Sequence, residues 1–253
     1  MRAVRGARVA RTGPAAPPLR AVGRKRPGMM RPMADLNDSP DVSGLSIGIL
    51  GGTGDQGKGL ARRFALAGHT VLIGSRSAER AREAAESIGV RGAENAVVAA
   101  EADIVIVAVP WDGHKATLES LRGELAGKIV IDCVNPLGFD KQGPYALPVE
   151  EGSAAQQAAA VLTESRVVAA FHHVSAVILL DPEVDEVGLD VLVLGDDREA
   201  TDIVQALASR IAGVRGVYGG RLRNAGQVEA LTANLIAINR RYKAHAGFRV
   251  TDV

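Results

Sequence analysis

The sequence predicts an α/β protein built on a doubly wound, mostly parallel sheet, with a small α/β domain appended at its C-terminal end. Three observations predict it. A glycine-rich turn, "GGTGDQGKG" at residues 51–59, joins an apolar β-branched run to a segment with helical spacing. Further apolar runs, each closed by a turn, recur along the chain, as strands buried on both faces require. The stretches between them have the length and periodicity of crossover helices, so the strands run parallel.

The first unit carries most of the information. "LSIGIL" reads as a buried strand, and "KGLARRFALAG" places Leu60, Phe64 and Leu66 near helical spacing with Gly68 as the stop. The turn between them satisfies three nucleotide-binding patterns. As G-x-x-x-x-G-K from Gly52 it has Gly59 where a phosphate-binding P-loop needs Ser or Thr for magnesium, which argues against ATP or GTP chemistry. As Gly52, Gly54 and Gly57 it is the G-x-G-x-x-G turn that brings backbone against a dinucleotide pyrophosphate at a helix N-terminus. From Thr53 it is the T-G-x-x-G-x-G loop of short-chain dehydrogenases. That enzyme class also needs Tyr and Lys four positions apart, and after Tyr145, Tyr218 and Tyr242 stand Val149, Leu222 and Ala246. Strand, glycine turn and helix together predict a Rossmann dinucleotide fold.

"HTVLIGSR" supplies the second strand. NAD-specific folds place Asp or Glu at its end to hold the ribose hydroxyls. Here the chain has Ser75 and Arg76, with Arg80 one turn into the next helix. A hydroxyl and two guanidinium groups suit a 2′-phosphate, so the expected cofactor is NADP(H). The plainer alternative is that both arginines are solvated surface charges.

"EADIVIVAVPWDGH" is the fourth-strand pattern and "GKIVIDCVNPLG" the fifth, while "SRVVAAFHHVSA", preceded by the helix "SAAQQAAAVLTE", is the sixth. Ligands of such sheets sit outside the carboxyl ends of the strands. Pro110, Trp111, Asn135, Pro136, His172 and His173 are therefore expected to face one crevice. Trp111 could equally pack against its strand, and the two histidines could be structural; no third ligand is spaced to make a metal site with them. Beyond residue 180 follow a strand, "DVLVLGDD", a helix that Asp196 or Asp197 can cap, a strand, "VRGVYGG", and a helix from about Asn224 to His245. The expected organisation is a disordered basic extension over 1–44, an NADP-binding domain over 45–180, and a small substrate or dimerisation domain over 181–253.

Composition narrows the function. Nine of the 30 Lys and Arg residues fall within residues 1–33 and none of the 29 Asp and Glu residues do, so the remainder of the chain is acidic. An acidic body argues against nucleic-acid binding. Residues 1–32 lack hydrophobic periodicity, and translation from Met33 would omit them. The single Cys133, inside an apolar run, excludes an intrachain disulfide and fits a core position in a cytoplasmic protein. No apolar run reaches the roughly 18 residues of a membrane span.

With these motifs in place, the chain resembles the F420-dependent NADP reductases over roughly residues 46–250. The resemblance rests on "GGTGDQGKGLA", "VLIGSR", "ADIVIVAVPW", "VVAAFHHVSA", "VLVLGDD" and "VEALTANLIAIN", in that order. It implies a homodimer and reversible hydride transfer between NADPH and an 8-hydroxy-5-deazaflavin, coenzyme F420. It also implies that Gly52, Thr53, Gly54, Asp55, Gln56 and Gly57 form the pyrophosphate region, that Ser75, Arg76 and Arg80 hold the 2′-phosphate, and that Trp111, Lys115 and Ala176 lie on the nicotinamide side. Asn135, Pro136, His172 and Val174 are then the deazaflavin candidates, with Lys115, Arg221 and Arg223 a basic lip for its anionic tail. The family loop has Asn-Leu where this chain has Asp55-Gln56, and the family's "HTIP" is here "HHVS". Both reactive atoms belong to the bound coenzymes, so no catalytic side chain and no metal are expected. Rival readings are an NADPH-dependent reductase of flavin, iron chelates or imines, and a non-catalytic NADP sensor.

Overall fold

The computed structural model describes residues 39–253; the basic segment and the Met33 start lie outside the described residues. The packed chain is under way before residue 45, because Val42 is 3% exposed and belongs to the core.

The four-residue apolar runs form strands. β1 (Ile47–Leu50), β4 (Ile104–Val107) and β5 (Ile129–Asp132) are buried along their whole length. Alternate side chains of a strand point to opposite faces. Ile47, Ile49, Ile104, Ile106, Ile129 and Ile131 accordingly enter one core cluster, with Phe64, Leu179 and Leu207 from α1 (Asp55–Leu66), α7 (Ala176–Leu180) and α8 (Arg198–Ala208). Leu50, Val105, Val107 and Val130 enter a second cluster with Val98 of α3 (Asn95–Glu101), Leu118 of α4 (His114–Ser120) and Ala155 of α6 (Ala154–Val161). One sheet with helices on both faces is the result.

The sheet has eight strands. Beyond β1, β4 and β5 they are β2 (Val71–Ser75), β3 (Arg91–Glu94), β8 (Arg166–Ala169), β9 (Leu189–Gly195) and β10 (Val214–Gly220), in the order β10-β9-β8-β5-β4-β1-β2-β3. All neighbours are parallel except β8 and β9, which pair antiparallel through Val168 and Gly195. The segment after residue 180, read from the sequence as an appended domain, thus contributes two more strands to the same sheet. Asp197 caps α8, accepting from the Ala200 amide at 2.8 Å. The short α2 (Ala78–Glu86) and α5 (Arg122–Leu125) complete the crossovers.

Two features lay outside the sequence expectations. Edge strand β3 is polar and partly exposed, so it carries no apolar run. A hairpin, β6 (Leu137–Asp140) and β7 (Gly143–Ala146), follows β5. Its turn is set by Asp140, whose carboxylate accepts from the amides of Gln142 at 2.7 Å and Gly143 at 3.1 Å. The final helix, α9 (Ala225–Tyr242), packs on this hairpin and on α6.

Candidate active site

The C-terminal ends of β1, β2, β4, β5 and β8 open onto a crevice. Its first part is a cavity of about 870 Å³ lined by the glycine turn, Ser75, Arg76, Arg80, Asn95 and the Ala108–Pro110 turn. The turn fits because of what its glycines lack. A Cβ on Gly57 would lie 2.7 Å from the Gly52 Cα, and one on Gly52 would lie 2.6 Å from the Ile73 Cβ, so both are packed against the chain itself. Gly54 faces open space, its nearest such contact being 3.7 Å away, and as N-cap of α1 it offers no side chain to the helix amides. A bare helix N-terminus beside an open, side-chain-free turn is suited to an anion.

Ser75 and the two arginines line this same cavity. Asp55 does not cap α1. Its exposed carboxylate lies 3.5 Å from Lys58, which offsets the negative charge next to the turn.

The second part is a cavity of about 410 Å³. Gln56, Ala108, Val109 and Pro110 line both parts, so the two are contiguous. Trp111 forms one wall, with Cys133 and Val134 after β5, His172–Ala176 after β8, and Thr232, Leu235, Ile236 and Asn239 of α9 opposite. The polar side chains here mostly hold the walls together. Gln56 donates to the Phe171 carbonyl at 3.3 Å, tying α1 to the end of β8. Asn135 donates to the His172 carbonyl at 2.8 Å, and Thr232 donates to that same carbonyl at 3.0 Å, drawing β5, β8 and α9 to one point. Phe171, at φ 65°, turns the chain there in a left-handed conformation.

His172 and His173 are each 3% exposed. Burial pushes both rings down to about pKa 4, so they are neutral at neutral pH. Both ring nitrogens of His172 lack a hydrogen-bond partner within the described residues. Cys133 is also buried, its thiol donating to the Val107 carbonyl at 3.1 Å, and burial raises its pKa. It serves the core, as its apolar strand predicts, while also lining the cavity.

A buried polar cluster behind Trp111 was not read from the sequence. His114 Nε2 lies 2.6 Å from an Asp132 oxygen and Nδ1 lies 2.9 Å from the Gln157 Oε1. Gln157 in turn donates to Glu151 at 3.1 Å. The other Asp132 oxygen accepts from the Val134 amide at 3.0 Å. Nearby, Glu229 of α9 accepts from the Ala154 and Ala155 amides, capping α6 from outside, and burial raises its pKa to about 7. The one hint in the sequence is the spacing of Trp111 and His114, a single helical turn apart.

Among the expected site residues, Thr53, Gly54, Asp55, Gln56, Ser75, Arg76 and Arg80 line the first cavity, and Trp111, Asn135, His172, Val174 and Ala176 the second. Gly52 and Gly57 are buried and shape the turn from behind. Lys115 and Pro136 line neither part. Lys115 is exposed and lies 3.8 Å from Glu151, and Pro136 is buried at the root of the hairpin, its carbonyl accepting from the Leu147 amide at 2.9 Å. Nor do Arg221 and Arg223 line the crevice; Arg221 donates to the Asp196 carbonyl at 3.0 Å and lines a separate cavity beside α8.

Comparison with known proteins agrees with this geometry. Residues 46–136 match the family described as NADP oxidoreductase, coenzyme F420-dependent. The F420-dependent NADP reductase of Methanothermobacter thermautotrophicus is 42% identical over 223 residues, covering 83% of this chain and 96% of that protein. That of Methanocaldococcus jannaschii is 39% identical over 224 residues, covering 83% and 99%. A crystal structure from Arthrobacter sp. FB24, provisionally assigned as an F420-dependent NADP reductase, superposes with a TM-score of 0.73 at 28% identity, covering 82% of this chain and all of that one. Glycine turn, arginine pair and contiguous second cavity thus occur in a chain that belongs to the F420-dependent NADP reductase family.

Proposed function

We propose that the protein transfers a hydride reversibly between NADPH and the deazaflavin coenzyme F420. The observation that carries this reading is the contiguity of the two cavities: one has the anion-binding turn and the arginines, the other has ring-sized walls, and they meet at Gln56 and the Ala108–Pro110 turn. When both coenzymes are bound, the nicotinamide supplies or accepts the hydride and the deazaflavin is its partner, so no side chain needs to become covalently involved.

In this reading the backbone of Thr53, Gly54, Asp55 and Gln56 binds the pyrophosphate, and Ser75, Arg76 and Arg80 bind the 2′-phosphate. Trp111 and Ala176 bound the nicotinamide, with His172 and Val174 against the deazaflavin. Asn135 positions the His172 backbone through its 2.8 Å hydrogen bond. Neutral His172 adds polar atoms without adding a charge. The walls exclude water and hold the reacting rings in register, which is the protein's main contribution to such a transfer.

The same reading takes the protein as a cytoplasmic homodimer. The homodimer is supported by exposed apolar side chains on neighbouring surfaces, Phe139 and Tyr145 on the hairpin and Ile238 and Tyr242 on α9. Among the described residues no helix is long and apolar enough to cross a membrane.

Mixing the purified protein with NADPH and oxidised F420 should bleach the visible absorbance of the deazaflavin. Reduction of FMN, FAD, an iron chelate or an imine at a comparable rate, with F420 untouched, would reject the deazaflavin half and leave the NADPH half standing.

A further inference from the structure

A buried pair of ionisable side chains lies directly behind one wall of the second cavity. The imidazole of His114 is stacked on the Trp111 indole, with ring centroids 5.5 Å apart and planes tilted by 32°. Its two nitrogens are held from two other elements, by Asp132 at the end of β5 and by Gln157 on α6. We propose that His114 and Asp132 are a positioning pair that fixes Trp111 as a rigid wall of the hydride-transfer cavity. The proposal rests on the hydride-transfer reading above.

The hydrogen-bond pattern argues for a doubly protonated ring. Gln157 gives its amide N–H to Glu151, so it turns its oxygen toward His114 Nδ1, which must then be a donor. His114 Nε2 faces a carboxylate oxygen at 2.6 Å, a charge-assisted distance, and donates as well. An imidazolium within about 6 Å of an indole face is a favourable cation–π arrangement, strengthened by exclusion of water. His114 and Asp132 are each fully buried, so the contact is not screened by solvent.

The charges around the ring favour the same state. Burial lowers the His114 pKa, but the Asp132 hydrogen bond and charge, the Gln157 hydrogen bond and the Glu229 charge outweigh it and hold the ring above its ordinary value. Glu151 faces it through Gln157, and Lys115, the nearest cation on α4, lies 3.8 Å from Glu151. Three elements therefore converge to keep one cation under one indole. Through the Asp132–Val134 hydrogen bond the pair is also tied to the chain segment that forms the adjoining wall.

Trp111 is the only tryptophan in the chain, so its emission reports on this wall of the cavity, and the His114 contact is isolated by comparing the variants without ligand. A protonated imidazole in van der Waals reach of an indole quenches it. The experiment records emission of the full-length wild type, His114→Gln and Asp132→Asn between about pH 5.5 and about pH 9, bracketing ordinary histidine titration near 6.5. It adds NADPH binding by energy transfer from Trp111 and single-turnover hydride transfer to F420. The wild type should be dim at neutral pH and brighten as the ring loses its proton on the alkaline side. His114→Gln should be bright and flat. Asp132→Asn, which keeps the shape of the site, should move the brightening to lower pH, and it reads the proposal even if His114→Gln does not fold.

NADPH affinity of His114→Gln should stay close to that of the wild type while hydride transfer slows by on the order of 10- to 100-fold, the range a small misplacement of reacting groups costs. Coincident emission curves for His114→Gln and the wild type, or an unchanged transfer rate, would overturn the proposal. If the wild type transfers no hydride to F420 but the emission curves separate as described, the functional reading fails and the hold of the pair on Trp111 stands.

Discussion

Replacing Arg76 by Ala tests the cofactor assignment at its most specific point. Arg76 and Arg80 line the first cavity from the end of β2 and the start of α2, and neither forms an ion pair with a carboxylate among the described residues. Their charge is available to a ligand. A hydrogen bond to a charged group is worth about 1.5–3 kcal/mol, and because both arginines are exposed, solvent screening brings the expected loss to the bottom of that range and below it, about 1–2 kcal/mol. That corresponds to roughly 5- to 30-fold weaker NADPH binding. NADH, which has no 2′-phosphate, should bind Arg76→Ala as it binds the wild type. The assay is a titration of each cofactor against Trp111 emission, repeated at higher salt, where the wild-type preference for NADPH should narrow. An equal loss for NADPH and NADH would refute the reasoning, since it would mean that Arg76 supports the fold or the pyrophosphate and not the 2′-phosphate.

Gly57→Ala places a methyl 2.7 Å from the Gly52 Cα and 3.1 Å from the Gly51 carbonyl; both are backbone and cannot step aside. Overpacking of this kind costs about 1–3 kcal/mol, so Tm and NADPH affinity should fall together, and an unchanged dissociation constant would show that the turn does not carry the cofactor. Phe64 is fully buried and meets Phe171 edge-on at 5.9 Å, so Phe64→Ala should cost about 3–5 kcal/mol in chemical denaturation and loosen the chain that presents His172; a cost below 1 kcal/mol on the order of a surface change would contradict the packing. Glu229 has a folded pKa of about 7, raised above that of the unfolded chain, so the fold binds its proton more tightly. Its contribution to stability is complete below the unfolded carboxylate value and is lost as pH rises toward 7, so Glu229→Gln should flatten the decline of Tm between about pH 5 and about pH 8. An identical decline in both proteins would place the proton elsewhere.

What the sequence determined by itself was local in origin. An apolar run, a glycine turn and an amphipathic segment specify strand, turn and helix without reference to the remainder of the chain, and the position after the second strand specifies which phosphate can be met. Thus Thr53 to Gln56 and the Ser75, Arg76 and Arg80 set could be named in advance, and the structure brings them to one cavity. Lys115 is the counterexample on the same stretch, because sequence gives the helix but not the Glu151 beside which its ammonium settles.

Only the tertiary structure decided the rest. The reversal of β9 against β8 depends on a pairing of Val168 with Gly195, which no local periodicity encodes, and it turns an expected appended domain into an extension of one sheet. Asn135, expected as a ligand contact, lines the second cavity while its amide donates to the His172 carbonyl 37 positions away, a partner its neighbours in sequence do not announce. His114, Asp132 and Gln157 are unremarked polar residues in a helix, an apolar strand and a second helix, and become a buried network only when three elements pack on one another. Burying such groups is costly unless each finds its partner, and the partners lie far apart along the chain. Strands and turns follow from neighbours in sequence, whereas the charge state and aim of a buried side chain follow from neighbours in space.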